Sequence, residues 1–223
     1  MTNFLSGKTL FSKNFTKLLL LSFFTFYISG TVFSGTLPDG LYAQMKTSKG
    51  DIVLRLFYQR TPVTVSNFVG LAEGTKEWKD SVTGKRKKTK FYDGLIFHRV
   101  IAGFVIQTGG YDVEMHRRES SQEIPNESFN GLKNLTGALS MARLADPDSA
   151  SSQFFINLNA NTHLDALPGK PGYTVFGHVV TGTDVAEAIE FAETGIRQGM
   201  AGVPLKPIVI HSVRRRPEEI QQK

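Results

Sequence analysis

The chain of 223 residues contains no cysteine. Disulfides, a thiol nucleophile and a thiolate metal site are thereby excluded, and an exported protein of this composition has to be held by its core alone. Histidines are few, at 98, 116, 163, 178 and 211, with no close helical pairing among them. A metal enzyme lacks its usual ligand pattern, and no metal or cofactor is expected. No G-x-S-x-G elbow surrounds Ser151 or Ser152, which stand at the start of a strand-like run, so a serine hydrolase lacks the setting for its nucleophile. Pro168 to Gly172 (PGKPG) is rich in glycine but has no strand, loop and helix around it to make a phosphate site, and reads as a turn before Tyr173. Internal repeats and long low-complexity tracts are also missing.

Acidic residues are absent before Asp39, while Lys8, Lys13 and Lys17 precede the uncharged run Leu18 to Phe33 (LLLLSFFTFYISGTVF). A basic start, an apolar middle and the small residues Ser34 and Gly35 match a secretory signal. The run also approaches the roughly 20 residues that cross a bilayer, so an uncleaved anchor is the alternative. Without those three lysines the 26 basic residues fall to 23 against 20 acidic ones. So small an excess gives no reason to expect a nucleic-acid partner. The expected organisation is a signal peptide or membrane anchor over 1–35, one domain over 38–216 and a flexible tail over 217–223. Hydrophobic residues make up 40% of the chain and phenylalanine contributes 17, enough for one well-packed core.

Leu41 to Thr47 and Asp51 to Tyr58 flank Ser48, Lys49 and Gly50 and read as a hairpin. Val65, Phe68, Val69 and Ala72 recur at helical spacing, with Thr61 the expected N-cap, Pro62 at the first helical position and Gly74 closing the helix. From Thr75 to Lys90 the chain is polar, basic and aperiodic, and reads as a solvated loop. A second helix is expected over Asp184 to Phe191 after Thr183. The remaining apolar runs are short and closely spaced by turns. Seven or eight strands with two helices point to an all-β-dominated fold, a closed eight-stranded antiparallel β-barrel capped by two α-helices. Asn126-Glu-Ser and Asn134-Leu-Thr read as surface polarity outside a eukaryotic secretory route. The tail from Arg214 reads as a frayed end.

Phe97 to Gly110 (FHRVIAGFVIQTGG) places one arginine and one glutamine in an otherwise apolar strand, interrupted by Gly103. An unpaired buried guanidinium is costly, so Arg99 is either half of a structural ion pair or a functional group at the rim of an apolar pocket. Strand parity is lost at the glycine, and spacing alone does not place Phe104, Val105 and Gln107 beside it.

FYDGLIFHRVIAGFVIQTGG and GALSMARLADPDSASSQFFINL resemble the two signature stretches of the cyclophilins, and the likeness continues through His163-Leu-Asp and YTVFGHVVTG, covering roughly Leu41 to Arg215. The resemblance implies a peptidyl-prolyl cis-trans isomerase acting on proline-containing polypeptides. It is strongest to the bacterial exported branch, which implies a role in folding exported proteins from the periplasm, or from the inner membrane if the leader is retained. Contact with a membrane is expected only in the second case, and a monomer is expected in both.

Carried over by the resemblance, the essential arginine falls on Arg99, the proline pocket on Phe104, Val105, Phe155 and Leu164, and its polar neighbours on Gln107 and Gln153. Ala142, Arg143 and Leu144 match the extended segment whose backbone pairs with substrate, and His98 is a wall rather than an acid or base. Three positions depart from the best-known eukaryotic pattern. Val105 stands for methionine, His163 for tryptophan and Tyr173 for histidine, and the second change implies that cyclosporin binds weakly at most. A module that grips proline segments without turnover is the rival reading, and a barrel storing a small apolar ligand is a weaker one.

Overall fold

The computed structural model describes residues 40–120 and 122–216. The expected leader and tail lie outside the described residues. Leu41–Thr47 (β1) and Gly50–Leu56 (β2) form the expected hairpin, with Thr47 opposite Gly50. Helix α1 follows at Pro62–Glu73, and then come Trp78–Asp80 (β3), Arg86–Lys87 (β4), Arg99–Ile101 (β5), Val105–Thr108 (β6) and Arg118–Ser120 (β7). Ala138–Met141 (β8), Phe154–Asn157 (β9) and Val175–Thr181 (β10) lead to helix α2 at Thr183–Glu190. Thr194–Arg197 (β11), Met200–Pro204 (β12) and Ile210–Arg216 (β13) complete the chain.

Eight strands share one antiparallel sheet in the order β13-β1-β2-β10-β8-β9-β6-β5. The sheet curls until its two edges are joined by short main-chain contacts rather than a full ladder. Gly94 N donates to Ile210 O at 2.8 Å, Ile210 N to Leu95 O at 2.7 Å and Phe97 N to Ile208 O at 3.0 Å. The expected eight-stranded barrel with two helices is the fold observed.

Strand alternation decides what lies inside. On β9, Phe154 and Ile156 belong to the central apolar cluster, whereas Phe155 and Asn157 point to the outer face. Helix α1 adds Val65, Phe68, Leu71 and Ala72 to that cluster. Phe68 meets Phe154 edge to face at 5.4 Å and lies 5.2 Å from Tyr92. Side chains therefore fill the interior, which removes the reading of a barrel that stores an apolar ligand.

Several local expectations are corrected. Thr61 precedes α1 but makes no capping bond with its side chain, and its hydroxyl donates instead to Phe57 O. The cap comes from Glu127, whose carboxylate accepts from Val63 N at 3.2 Å and Thr64 N at 2.8 Å. A contact spanning more than 60 residues has no local signal. Gly74 does close the helix, at φ 76°. The stretch 75–90 is no mere loop, because β3 pairs with β4 on one side and β7 on the other in a small sheet anchored by Trp78, which is 4% exposed and donates Nε1–H to Thr89 O at 3.1 Å. Arg214 is not frayed but lies in β13, its guanidinium held on both Asp93 carboxylate oxygens at 2.8 and 2.5 Å.

Candidate active site

The β5–β6 hairpin turns through Gly103 at φ 70° and sets Arg99 opposite Gln107, and Ile101 opposite Val105. The next strand sets Gln107 opposite Phe155. Arg99, Gln107 and Phe155 thus form one row across three strands on the outer face of the barrel, restoring the parity that the glycine obscured.

Around this row a cleft of about 220 Å³ is lined by Arg99, Phe104, Val105, Gln107, Arg143, Phe155, Leu164 and Tyr173. Val105 and Phe155 are buried and form its apolar floor. Tyr173 meets Phe155 edge-on at 5.7 Å, and His163 stacks on Phe104 at 5.8 Å with ring planes 20° apart. A second depression of about 280 Å³ continues outward past Gln107, Gln153, Ala142, Arg143 and Leu144 to Glu119 and Ser120.

Two arginines border the cleft, and their partners distinguish them. Arg143 spends its donors on main-chain oxygens, Nε on Gly172 O at 3.3 Å, Nη1 on Leu144 O at 2.9 Å and Nη2 on Pro171 O at 3.2 Å, with its guanidinium 4.7 Å from the Tyr173 ring centre. It ties the 142–145 segment to the 171–173 segment. Arg99 makes one long bond, Nη1 to Gln107 Oε1 at 3.4 Å, and among the described residues it has no carboxylate partner. The structural ion pair is therefore set aside, and Arg99 lines the cleft.

Gln107 is itself held, donating Nε2–H to Gln153 Oε1 at 3.0 Å. Gly110 makes room for this chain of contacts. A Cβ there would lie 2.5 Å from Gln153 Cδ and Nε2, so Gly110→Ala has to push the amide aside while the backbone keeps its place. Stability is expected to stay within about 1 kcal/mol of wild type while kcat/KM falls about fivefold, the equivalent of one lost neutral hydrogen bond. Urea unfolding and a proline-peptide assay on the same preparation check both halves.

His98 is not brought to the cleft. It is 2% exposed, packs 4.8 Å from the Tyr111 ring, and its Nδ1 has no hydrogen-bond partner. Burial pushes its pKa down to about 4, with Gln153 and the Ile96 backbone opposing the shift and the Arg99 charge adding to it. The unfolded imidazole takes up a proton near 6.5, whereas the native one resists until about 4. Stability is therefore undiminished above the higher value and is lost progressively as pH falls toward the lower one, by about 3 kcal/mol. Denaturant midpoints between pH 7 and 4 should show this loss in wild type and a smaller one in His98→Gln.

A buried polar network escaped sequence reasoning. Asp165 Oδ1 accepts from Asn134 N at 2.8 Å and Nδ2 at 2.9 Å, and Ser140 Oγ donates to Asn134 Oδ1 at 2.7 Å. Asn161 Nδ2 reaches Asn157 Oδ1 at 2.9 Å and Phe104 O at 3.0 Å. These bonds fix the 161–165 turn that carries His163 and Leu164, and with it the backbone of Phe104. Asn134 is fully buried, so the surface reading of its N-x-T triplet is wrong. The one available signal was Asn157, a polar residue inside the apolar run FFINL. Asp165→Ala leaves two buried donors unmatched and is expected to cost about 2 to 3 kcal/mol in urea unfolding and to raise KM.

Elsewhere, Asp112, Glu114 and His116 bring donor atoms within 4.8 Å of one another. Asp112 Oδ1 already accepts the main-chain N–H groups of Glu114 and His116, bracing the turn they share.

The site is an open cleft with an apolar floor and a rim of Arg99, Gln107 and Arg143 on the flank of a curled antiparallel barrel, extended by a polar trough. The family model described as cyclophilin type peptidyl-prolyl cis-trans isomerase matches residues 42–215, and the chain belongs to that family. It is 42% identical over 170 residues to peptidyl-prolyl cis-trans isomerase A of Dickeya dadantii, covering 76% of this chain and 82% of the relative. It is 41% identical over 172 residues to peptidyl-prolyl cis-trans isomerase B of Escherichia coli, covering 75% and 94%. For the fold alone, a crystal structure of a Cryptosporidium parvum cyclophilin-type isomerase in the presence of the dipeptide Ala-Pro aligns at a TM-score of 0.59 and 24% identity, covering 79% of this chain and 99% of that one. The chain is a peptidyl-prolyl cis-trans isomerase.

Proposed function

We propose that Arg99 is the electrostatic catalyst of this isomerase, that Phe104, Val105, Phe155 and Leu164 seat the proline ring, and that the enzyme assists the folding of exported proteins. The observation that carries the catalytic reading is the Arg99 guanidinium, without a carboxylate partner among the described residues and bordering a cleft whose floor is Val105 and Phe155.

Amide resonance gives the peptide bond a rotational barrier of about 18 to 20 kcal/mol. Before proline the two isomers differ by only about 1 kcal/mol, yet exchange takes roughly 10 to 100 s. Halfway through rotation the proline nitrogen turns pyramidal and recovers its lone pair. A donor aimed at that atom binds the twisted state more tightly than either planar one, and so lowers the barrier. Arginine stays protonated throughout the working pH range, so Arg99 transfers no proton and acts as a fixed charge. The floor of Val105 and Phe155 holds the ring and keeps water from screening that charge, while the preceding carbonyl swings. Tyr173 keeps an aromatic face with a polar tip where histidine is usual. The solved relative crystallised with Ala-Pro supports a proline dipeptide as the minimal occupant.

An NMR exchange assay on a short proline peptide separates this reading from a grip without turnover. Faster cis-trans exchange at catalytic enzyme concentrations is the expected result, and line broadening from binding alone would refute it. The exported role rests on the basic start and apolar run of residues 8–33. Cell fractionation with N-terminal sequencing tests it, the expected result being a periplasmic protein beginning near residue 36 or an inner-membrane one with the leader intact. A cytoplasmic protein would refute the exported role.

A further inference from the structure

The basic stretch beside the cleft has a spatial order that its sequence does not reveal. Glu119 lines the outer depression that runs from Gln107 and Gln153. On the small sheet its register partner is Lys79, whose partner on the other side is Arg86. Directly opposed residues share a face, so Glu119, Lys79 and Arg86 form one row leading away from the cleft in two strand steps of about 5 Å each. Lys85 and Lys88 flank its outer end, and all four basic residues are exposed.

Carboxylates do not balance this row. Asp80 is engaged by Lys87, Glu119 pairs with Arg117 at 2.9 Å, and Glu77 alone reaches Arg86, at 3.6 Å between exposed side chains. Lys79, Lys85 and Lys88 have no carboxylate partner among the described residues. Like charges set directly opposite, as Lys79 and Arg86 are, weaken a hairpin. The packing of this sheet does not call for them, because Trp78, Lys87 and Arg118 occupy its other side, the two cations 5.3 and 4.8 Å from the indole centre.

We propose that this row extends the substrate cleft and receives an acidic segment of polypeptide flanking the proline, so that the enzyme prefers proline sites with Asp or Glu a few residues away. Continuity with the cleft decides for a polypeptide: the depression at Gln107 and Gln153 ends at Glu123 and at Glu119, which Arg117 neutralises, and Lys79 and Arg86 lie one and two strands beyond Glu119. The proposal rests on the isomerase reading and adds a preference to it.

The test compares exchange rates, by NMR, for peptides that share one proline core and carry neutral, acidic or basic residues on either flank. Wild type is expected to turn over an acidic peptide, with the acids on one flank, about five- to tenfold faster in kcat/KM than the neutral one, each screened contact giving roughly twofold. Salt near 0.5 M should erase most of that gain. The triple variant Lys79→Gln, Lys85→Gln, Arg86→Gln should keep the neutral rate and lose the preference. Equal rates for acidic and neutral peptides in wild type overturn the proposal. Should no proline peptide be turned over, the isomerase reading fails, and titration with a proline-free acidic peptide reads the row alone. Binding lost in the triple variant then upholds it, and no binding by wild type overturns it. Tighter binding of anionic phospholipid vesicles or an oligonucleotide than of the acidic peptide, lost in the same variant, also overturns it.

Discussion

Replacing Arg99 with alanine is expected to lower kcat/KM on a short proline peptide by about 10² to 10³, which corresponds to the roughly 3 to 4 kcal/mol that one preorganised donor contributes in a water-poor site. The fold should survive, because the guanidinium holds nothing else in place. Among the described residues its only side-chain hydrogen bond is the 3.4 Å contact with Gln107. Unfolding free energy is accordingly expected to stay within about 1 kcal/mol of wild type. Arg99→Lys should recover little of the rate, since a compact ammonium on a flexible stem does not reproduce the planar fork. Arg143→Ala is the instructive contrast. It removes a guanidinium that binds four main-chain oxygens and lies over Tyr173, so stability and KM should suffer more than kcat. Near-normal turnover by Arg99→Ala would remove the catalytic assignment altogether.

Rate and stability should also respond differently to pH. Arginine as a residue type stays charged at these pH values and transfers no proton, so kcat/KM is expected to be nearly flat from about pH 6 to 9. Folding stability slopes below about 6.5, because His98 is buried neutral and the unfolded chain gains a proton that the native one refuses. A buried imidazole lying next to the catalytic arginine in sequence thus bears on the barrel and not on the reaction.

How much of this could be read in advance depended on the range of the interactions. The β1–β2 hairpin, α1 and its closing Gly74 follow from local periodicity and turn chemistry, and all were legible. Arg99 was visible as an anomaly, an arginine in an apolar run, but its partners were not, because Gly103 breaks the alternation and only the observed pairing of Arg99 with Gln107 restores it. Asp165, Asn134 and Asn157 were missed for the opposite reason. Asn157 alone stands out, as a polar residue in an apolar run, but it does not name its partners, and their mutual bonds span 23 to 31 residues. The β11–β12 hairpin escaped because most of its residues are exposed or only half-buried and carry no apolar rhythm.

Phe154 and Phe155 offer the sharpest test of that face-by-face logic, since neighbours on one strand should fail in different ways. Phe155 is 5% exposed, sits on the outer face between Gln107 and Ser140 in the strand register, and meets Tyr173 across the cleft. Phe155→Ala removes the pocket floor, and KM is expected to rise about 10- to 30-fold, the equivalent of roughly 1.5 to 2 kcal/mol of apolar contact with the proline ring. Stability falls too, toward the low end of the about 3 to 5 kcal/mol typical of Phe→Ala, because one side of the ring borders an open cleft. Phe154 points inward to Phe68, Tyr92 and Phe176, and substrate never reaches it. Phe154→Leu should therefore cost about 1 to 2 kcal/mol of stability and leave KM unchanged. Steady-state kinetics and urea unfolding on the two variants read the separation directly. If Phe154→Leu raised KM as much as Phe155→Ala, the outer face would lose its claim to the substrate.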